Sequence, residues 1–220
     1  MFPELQRVCH DQGIELSEDQ RRAFAQFRDA LYAWNNFKNL TRIPIEDCEV
    51  RHFAESCLIA GDAAHGETLD IGTGPGLPAW PLACVCPNGH VTALDSNGKM
   101  IEFLRSVSLP NLSIIEGRVE DQAWEEQFSL VTGRALAPLP IQLEVSARPC
   151  AIGGAIIPFR TESDNLEPDC LVELGLKLEA VRRHTLSDGV TRVLPVYRKV
   201  TPTPQPYPRP WAMIKKNPLT

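Results

Sequence analysis

An α/β fold on a mostly parallel sheet, with a terminal antiparallel hairpin and a helical N-terminal extension, is what this 220-residue sequence predicts. Three observations carry that expectation. From Glu67 onward, short apolar runs alternate with helix-length stretches, the pattern of βαβ units. A glycine-rich turn, Gly72-Thr73-Gly74-Pro75-Gly76, follows the first of those runs. Near the C-terminus, Ser187-Asp188-Gly189 separates two longer segments and supplies the chemistry of a hairpin turn.

The elements follow in order. The first 60 residues read as helices. Ser17 and Gln20 form a capping box that opens a helix over 18–37, with Phe24, Phe27, Leu31 and Trp34 along one face. Pro44 breaks the chain, and a further helix is expected over 46–60, ending at Gly61. Strands are expected at 68–71, 90–94, 112–115, 130–132 and 155–158. Helices are expected between them at 78–86, 99–109 and 139–147, with one more near 166–174. The hairpin strands fall at 177–185 and 190–200, and the proline-rich chain beyond Pro202 should be irregular. The reading is one domain over 1–220: a helical extension (1–62), an α/β core (63–200) and a basic, proline-rich tail (201–220).

Composition narrows the class. Hydrophobic residues make up 43% and charged residues 23%, which fits a globular chain. The seven cysteines contain no C-x-x-C pair, so reduced thiols and no metal site are expected. The polar N-terminal stretch and the lack of a long apolar run point to a cytoplasmic chain with no membrane span. A monomer is expected. The net charge of −6 is unevenly placed. From Lys177 onward there are nine Lys/Arg against two acids, while the rest carries 13 basic and 26 acidic residues. Local positive potential of this kind can meet a polyanion despite the negative total.

The glycine loop carries chemistry. A dinucleotide fingerprint, G-x-G-x-x-G, would need glycine at position 77, where Leu77 stands, and no phosphate-binding G-x-x-x-x-G-K-[ST] occurs. The loop Gly72-x-Gly74-x-Gly76, preceded by Asp70, suits a nucleoside ligand without phosphates, such as S-adenosylmethionine. Asp70 could accept from its amino group, and Asp95, ending the second strand, from its ribose hydroxyls. The alternatives are a purely structural turn and a helix cap at Asp95. Gly117-Arg118-Val119-Glu120 follows the third strand, where an adenine edge is read in such folds, or a loop salt bridge forms. Arg134 ends the fourth strand beside the expected methyl group. No [DN]-P-P-[FYW] signature of amine methylation is present, and Thr132-Gly133-Arg134 offers no cysteine nucleophile. Cys150 falls after the following helix and is read as structural.

Four blocks together resemble the family of the glucose-inhibited division protein B, the ribosomal RNA small-subunit methyltransferases G. They are Trp34-Asn35…Asn39-Leu40-Thr41-Arg42-Ile43 with Arg51-His52…Glu55-Ser56; Asp70 to Pro78; Leu94-Asp95-Ser96-Asn97-Gly98-Lys99…Phe103-Leu104-Arg105 with Gly117 to Glu120; and Arg134-Ala135. The tail Tyr207-Pro208-Arg209…Lys215-Lys216-Asn217-Pro218-Leu219 also fits. The resemblance spans nearly the whole chain. It implies a Rossmann-like S-adenosylmethionine-dependent methyltransferase fold and methyl transfer to N7 of one guanine in 16S ribosomal RNA, free or in a small-subunit particle. By position, the family's cofactor contacts fall on Gly72, Leu77, Val119, Glu120 and Arg134. Asn39, Arg42 and His52 are the candidates for the guanine-side pocket, with a structural role as the alternative. Arg160, Arg209, Lys215 and Lys216 are the candidates for RNA contact. The sequence departs from the family at Glu55, where aspartate is usual, and at Phe159-Arg160, where Lys-Gly is usual. A methyltransferase of the same fold with another RNA or a small molecule as substrate, and a non-catalytic cofactor-binding module of the ribosome, remain the rival readings.

Overall fold

A computed structural model describes residues 2–220. The helical extension opens with α1 (Pro3–Asp11), which starts on a proline at N1 and buries Leu5, Val8 and Cys9. In α2 (Glu18–Lys38) the capping box forms as expected: Gln20 N–H donates to Ser17 Oγ at 3.2 Å, and Ser17 N–H to Gln20 Oε1 at 2.9 Å. Phe24, Phe27 and Leu31 are buried, and rings of Phe24, Phe27 and Phe53 gather around Trp80 and Phe103. The single helix expected over 46–60 is instead a broken run. A 3-10 turn at Ile45–Asp47 leads into a π-helical segment at Glu49–Ala54, then a 3-10 turn at Cys57–Ile59 and a short α3 (Ala60–Ala63). The wide π turn is the irregularity typical of functional segments, and here it carries Arg51, His52 and the residues leading to Glu55.

The core alternates as expected: β1 (Gly66–Ile71), α4 (Ala79–Val85), β2 (Gly89–Asp95), α5 (Gly98–Ser106), β3 (Leu112–Glu116), β4 (Phe128–Arg134), α6 (Leu139–Ala147), β5 (Cys150–Phe159), β6 (Leu176–Thr185) and β7 (Thr191–Lys199). The strands form one sheet in the order β3-β2-β1-β4-β5-β7-β6. β1 to β5 pair in parallel, and β7 runs antiparallel to both β5 and β6. The helix expected near 166–174 is reduced to a 3-10 turn at Asp169–Leu171. Pro168 steers Glu167 away from helical backbone and is itself extended, and Tyr197 ties the segment down by donating to Leu166 O at 2.7 Å.

The sheet separates two apolar layers. Leu130, Ala155 and Ile157 face the helical extension, α4 and α5, whereas Leu69, Val131 and Ile156 face α6 and the tail. The alternation is the period of two that strands impose. The tail is not wholly irregular: it returns across α6 and ends in α7 (Trp211–Lys216), with Ile214 buried in the second layer. The sequence order reverses between β1 and β4, and a crevice opens there at the carboxyl ends of the strands.

Candidate active site

The crevice holds two adjoining cavities. The first, of about 360 Å³, is lined by Gly72, Asp95, Val119, Glu120, Leu136 and Trp211 among others. The glycine turn makes room for it. Gly72 and Gly76 have φ of 73° and 100°, where side chains are disfavoured. A Cβ on Gly72 would stand 2.6 Å from Leu136 Cδ1, and one on Gly76 2.5 Å from Leu104 Cδ1. Asp95 fixes the turn from the neighbouring strand, accepting from Gly74 N–H and Asn97 N–H, both at 2.8 Å. Each carboxylate oxygen keeps a second lone pair for a ligand hydroxyl. The helix cap belongs to Asn97, whose side chain accepts from Lys99 N–H at 3.1 Å.

Two expected cofactor residues act from behind the cavity. Asp70 is fully enclosed and accepts from Ala79 N–H at 3.0 Å, capping α4. Burial raises its pKa to about 7, against the opposing pull of that N–H. The carboxyl therefore sets the loop and does not line the cavity. Leu77 is buried beneath the loop in the apolar layer, also outside the lining.

The cavity fits the group the glycine loop implies. Oε1 of Glu120 is buried and has no hydrogen-bond partner, an expensive state for an acceptor unless a ligand donor meets it. An adenine amine is such a donor. With free lone pairs on the Asp95 carboxylate and Gly72 in the cavity wall, the acceptors present fit an adenosine without phosphates.

The second cavity, of about 630 Å³, shares Ala135 with the first. Ala135 sits at φ 53°, a strained backbone for a residue with a Cβ, at the point where the two spaces meet. Arg51, Arg134, Arg160 and Arg192 line this cavity together with Asp47, Glu55, Asp164 and Asp188. Arg134 ends β4 and is held from three sides. Its guanidinium donates to Arg51 O at 2.7 Å, to Glu55 Oε1 at 3.3 Å and to His52 Nδ1 at 3.2 Å. Glu55 reaches on to Arg192, whose Nε donates to its Oε2 at 2.9 Å, and Arg192 is held in turn by Asp188 at 2.7 Å. Helical extension, β4 and hairpin are thereby tied into one charged network.

The guanine-side candidates Asn39, Arg42 and His52 lie outside the lining of both cavities. His52 is 3% exposed and lines neither cavity. Its Nε2 contacts Thr41 Oγ1 at 2.9 Å. These partners assign the neutral tautomer with the proton on Nε2, and burial beside Arg134 lowers the pKa to about 3. His52 orients Arg134. Asn39 ends α2 at φ 53° and is exposed, which is the capping role. Arg42 is exposed, with no ion pair among the described residues, and neither residue lines a cavity. Of Asn39, Arg42, His52 and Arg134, only Arg134 lines the second cavity.

The RNA-contact candidates divide as well. Arg160 turns inward, donating to Ala137 O at 3.0 Å and to Gln142 Oε1, and burial lowers its pKa. Arg209 is engaged by the fully buried Glu144 through Nε at 2.8 Å and Nη2 at 2.6 Å. It anchors the tail. Lys215 and Lys216 remain exposed. Trp211 was missed by the sequence reading; it lines the first cavity, with the Arg118 guanidinium 5.3 Å from its ring centre. Among the described residues no group of three or more His, Cys, Asp or Glu could hold a metal ion, and no helix is long and apolar enough to cross a membrane.

The profile of the family described as GidB, rRNA small subunit methyltransferase G, matches residues 20–186. The ribosomal RNA small subunit methyltransferase G of Lactobacillus johnsonii is 34% identical over 226 positions, covering 94% of this chain and 95% of that protein. The one from Roseiflexus castenholzii is 32% identical, covering 98% and 99%. Among solved structures, M. jannaschii TYW2 in complex with AdoMet has a TM-score of 0.54 at 16% identity, covering 66% of this chain and 75% of that one. Geranyl diphosphate methyltransferase in complex with SAM has a TM-score of 0.52 at 12% identity, covering 67% and 85%. At such identities the structures share the fold of S-adenosylmethionine-dependent methyltransferases, and the full-length sequence matches then settle the lineage: the chain belongs to the rRNA small subunit methyltransferase G (GidB) family.

Proposed function

We propose that this chain transfers the methyl group of S-adenosylmethionine to N7 of one guanine in 16S ribosomal RNA. One observation carries the reading: Ala135 lines both the cavity with Asp95 and Glu120 and the cavity with the arginines. When bound, the cofactor supplies an electrophilic methyl group on a sulfonium. Asp95 holds ribose hydroxyls, Glu120 the adenine amine, and the Gly72 backbone lets the ligand approach closely.

Guanine N7 carries an unprotonated lone pair, so its attack needs no general base. The carboxylates of the second cavity agree with that. Glu55 and Asp188 are bound by Arg134 and Arg192, Asp164 accepts from Thr161, and Asp47 lies 3.7 Å from the Arg51 guanidinium. Alignment and electrostatics are then the main catalytic resources. A cavity with both arginines and carboxylates suits guanine, whose O6 accepts and whose N1–H and N2–H₂ donate. Arg134 borders the reacting base, with His52 and Glu55 setting its guanidinium. Lys215 and Lys216, and the exposed Arg42, serve the RNA backbone.

The substrate is 16S rRNA, folded alone or in a small-subunit particle, which places the chain in the cytoplasm. Deleting the gene and mapping 16S rRNA by mass spectrometry tests the reading. Loss of one 7-methylguanine supports it, and an unchanged modification map sinks it.

A further inference from the structure

The tail lies against α6 as a fastened strap. Arg148, at the end of α6, donates to the carbonyls of Tyr207 and Pro204. Glu144, one turn earlier, is fully buried and takes the Arg209 backbone N–H at 3.0 Å as well as its guanidinium. Beyond α7, Thr220 O accepts from Cys170 N–H at 2.8 Å. A buried carboxylate paired with an arginine is costly unless its geometry is closely satisfied, so the docked position of residue 209 is narrowly defined. Two residues later the strap delivers Trp211 to the wall of the first cavity. There the indole faces the Arg118 guanidinium and shares the cavity wall with Glu120, which carries the unpartnered buried oxygen.

We propose that Trp211 is a cofactor-binding residue contributed by the tail, forming an aromatic wall against the adenine of the nucleoside. Arg209, Glu144 and Arg148 act as positioning residues that hold it there. The inference rests on the cofactor assignment made above and adds to it. An aromatic ring beside an acceptor for the exocyclic amine is a combination that recognises a purine by face and by edge. Because tail docking and nucleoside binding share Trp211, each must strengthen the other. The charged tail then serves the cofactor through Arg209, and RNA through Lys215 and Lys216.

Titration calorimetry with S-adenosylhomocysteine on the full-length protein tests this. Trp211→Ala should weaken binding about tenfold or more, with Trp211→Phe restoring most of the loss. Arg209→Ala should weaken it in the same direction. In steady state with small-subunit particles, the KM for S-adenosylmethionine should rise in Trp211→Ala while the KM for RNA stays constant. Hydrogen exchange adds a readout that a merely structural tail would not move: the ligand should slow exchange over 211–217 in the wild type and not in Trp211→Ala. Unchanged affinity in Trp211→Ala, or a loss confined to the RNA KM, overturns the proposal. A wild-type protein that does not bind S-adenosylhomocysteine overturns the cofactor assignment itself.

Discussion

Arg134 Nη2 donates to His52 Nδ1 across 3.2 Å, joining the end of a central strand to a π-helical segment 82 residues earlier. His52 must stay neutral to accept that bond, and its burial beside a cation keeps it so, with a pKa near 3. A histidine whose folded pKa lies below its unfolded value, about 6.5, contributes stability that is present above 6.5 and lost as pH falls toward 3. The loss is at most about 1.4 kcal/mol per pH unit. Asp70 acts in the opposite sense: with its pKa raised to about 7, its contribution is present below about 3.8 and lost as pH rises through 7. Denaturant melts at pH 7, 6 and 5 should therefore show His52→Gln losing less stability than the wild type on acidification, and Asp70→Asn losing more. Parallel curves for all three proteins would contradict both assignments.

Glu55 spans two arginines, Arg134 and Arg192, with side chains only 17% and 8% exposed. Removing it leaves two nearby cations without their shared anion. Glu55→Ala should destabilise the fold by about 3 kcal/mol and lower methyl transfer, with Glu55→Gln in between. Calorimetric melts with turnover assays check this. A variant as stable as the wild type would show that the network is solvated and weak.

The glycine loop gives a graded test. A side chain at Gly72 meets Leu136, which lines the first cavity, whereas one at Gly74 meets nothing within 4 Å. Both have positive φ, so each alanine carries a backbone cost of about 1 kcal/mol, and only Gly72→Ala adds a steric one. Affinity for S-adenosylhomocysteine should fall further in Gly72→Ala than in Gly74→Ala. The reverse order would place the ligand elsewhere along the turn.

The exposed lysines give an electrostatic test. Charge neutralisation at Lys215 and Lys216 should weaken RNA binding, flatten its salt dependence by about one unit per lost phosphate contact, and leave cofactor affinity unchanged. Binding isotherms at several salt concentrations read this directly. An unaltered salt slope would remove both lysines from the RNA surface.

These residues also mark what could be read from the chain. The strands, α6 and the hairpin follow from apolar periodicity and turn chemistry, which are local, and they fall where expected within a few residues. Asp95, at the end of β2, and Glu120, after β3, line one cavity, a placement their positions at strand ends make legible. The roles of His52, Arg160 and Arg209 are not local. Each is a charged or polar side chain whose sequence neighbours say nothing about Arg134, Gln142 or Glu144, 82, 18 and 65 residues away. A basic residue in a basic tail reads as an RNA contact until a buried glutamate is found beneath it. Trp211 is hidden for the same reason: its place depends on a long-range return of the tail. The broken run at 45–63 is a tertiary override, because apolar spacing there is compatible with a regular helix, whereas the folded segment packs against α1 and holds the Arg134 side chain through Arg51 O and His52.

The most direct test of guanine methylation is reconstitution. Small-subunit particles from a strain lacking this chain are incubated with the purified protein and isotope-labelled S-adenosylmethionine, and the rRNA is digested for mass spectrometry. The expected result is one labelled 7-methylguanine at a single position, absent when Asp95→Ala protein replaces the wild type. Label on another atom or base, or none in any form of the RNA while the wild type binds S-adenosylhomocysteine, would contradict it.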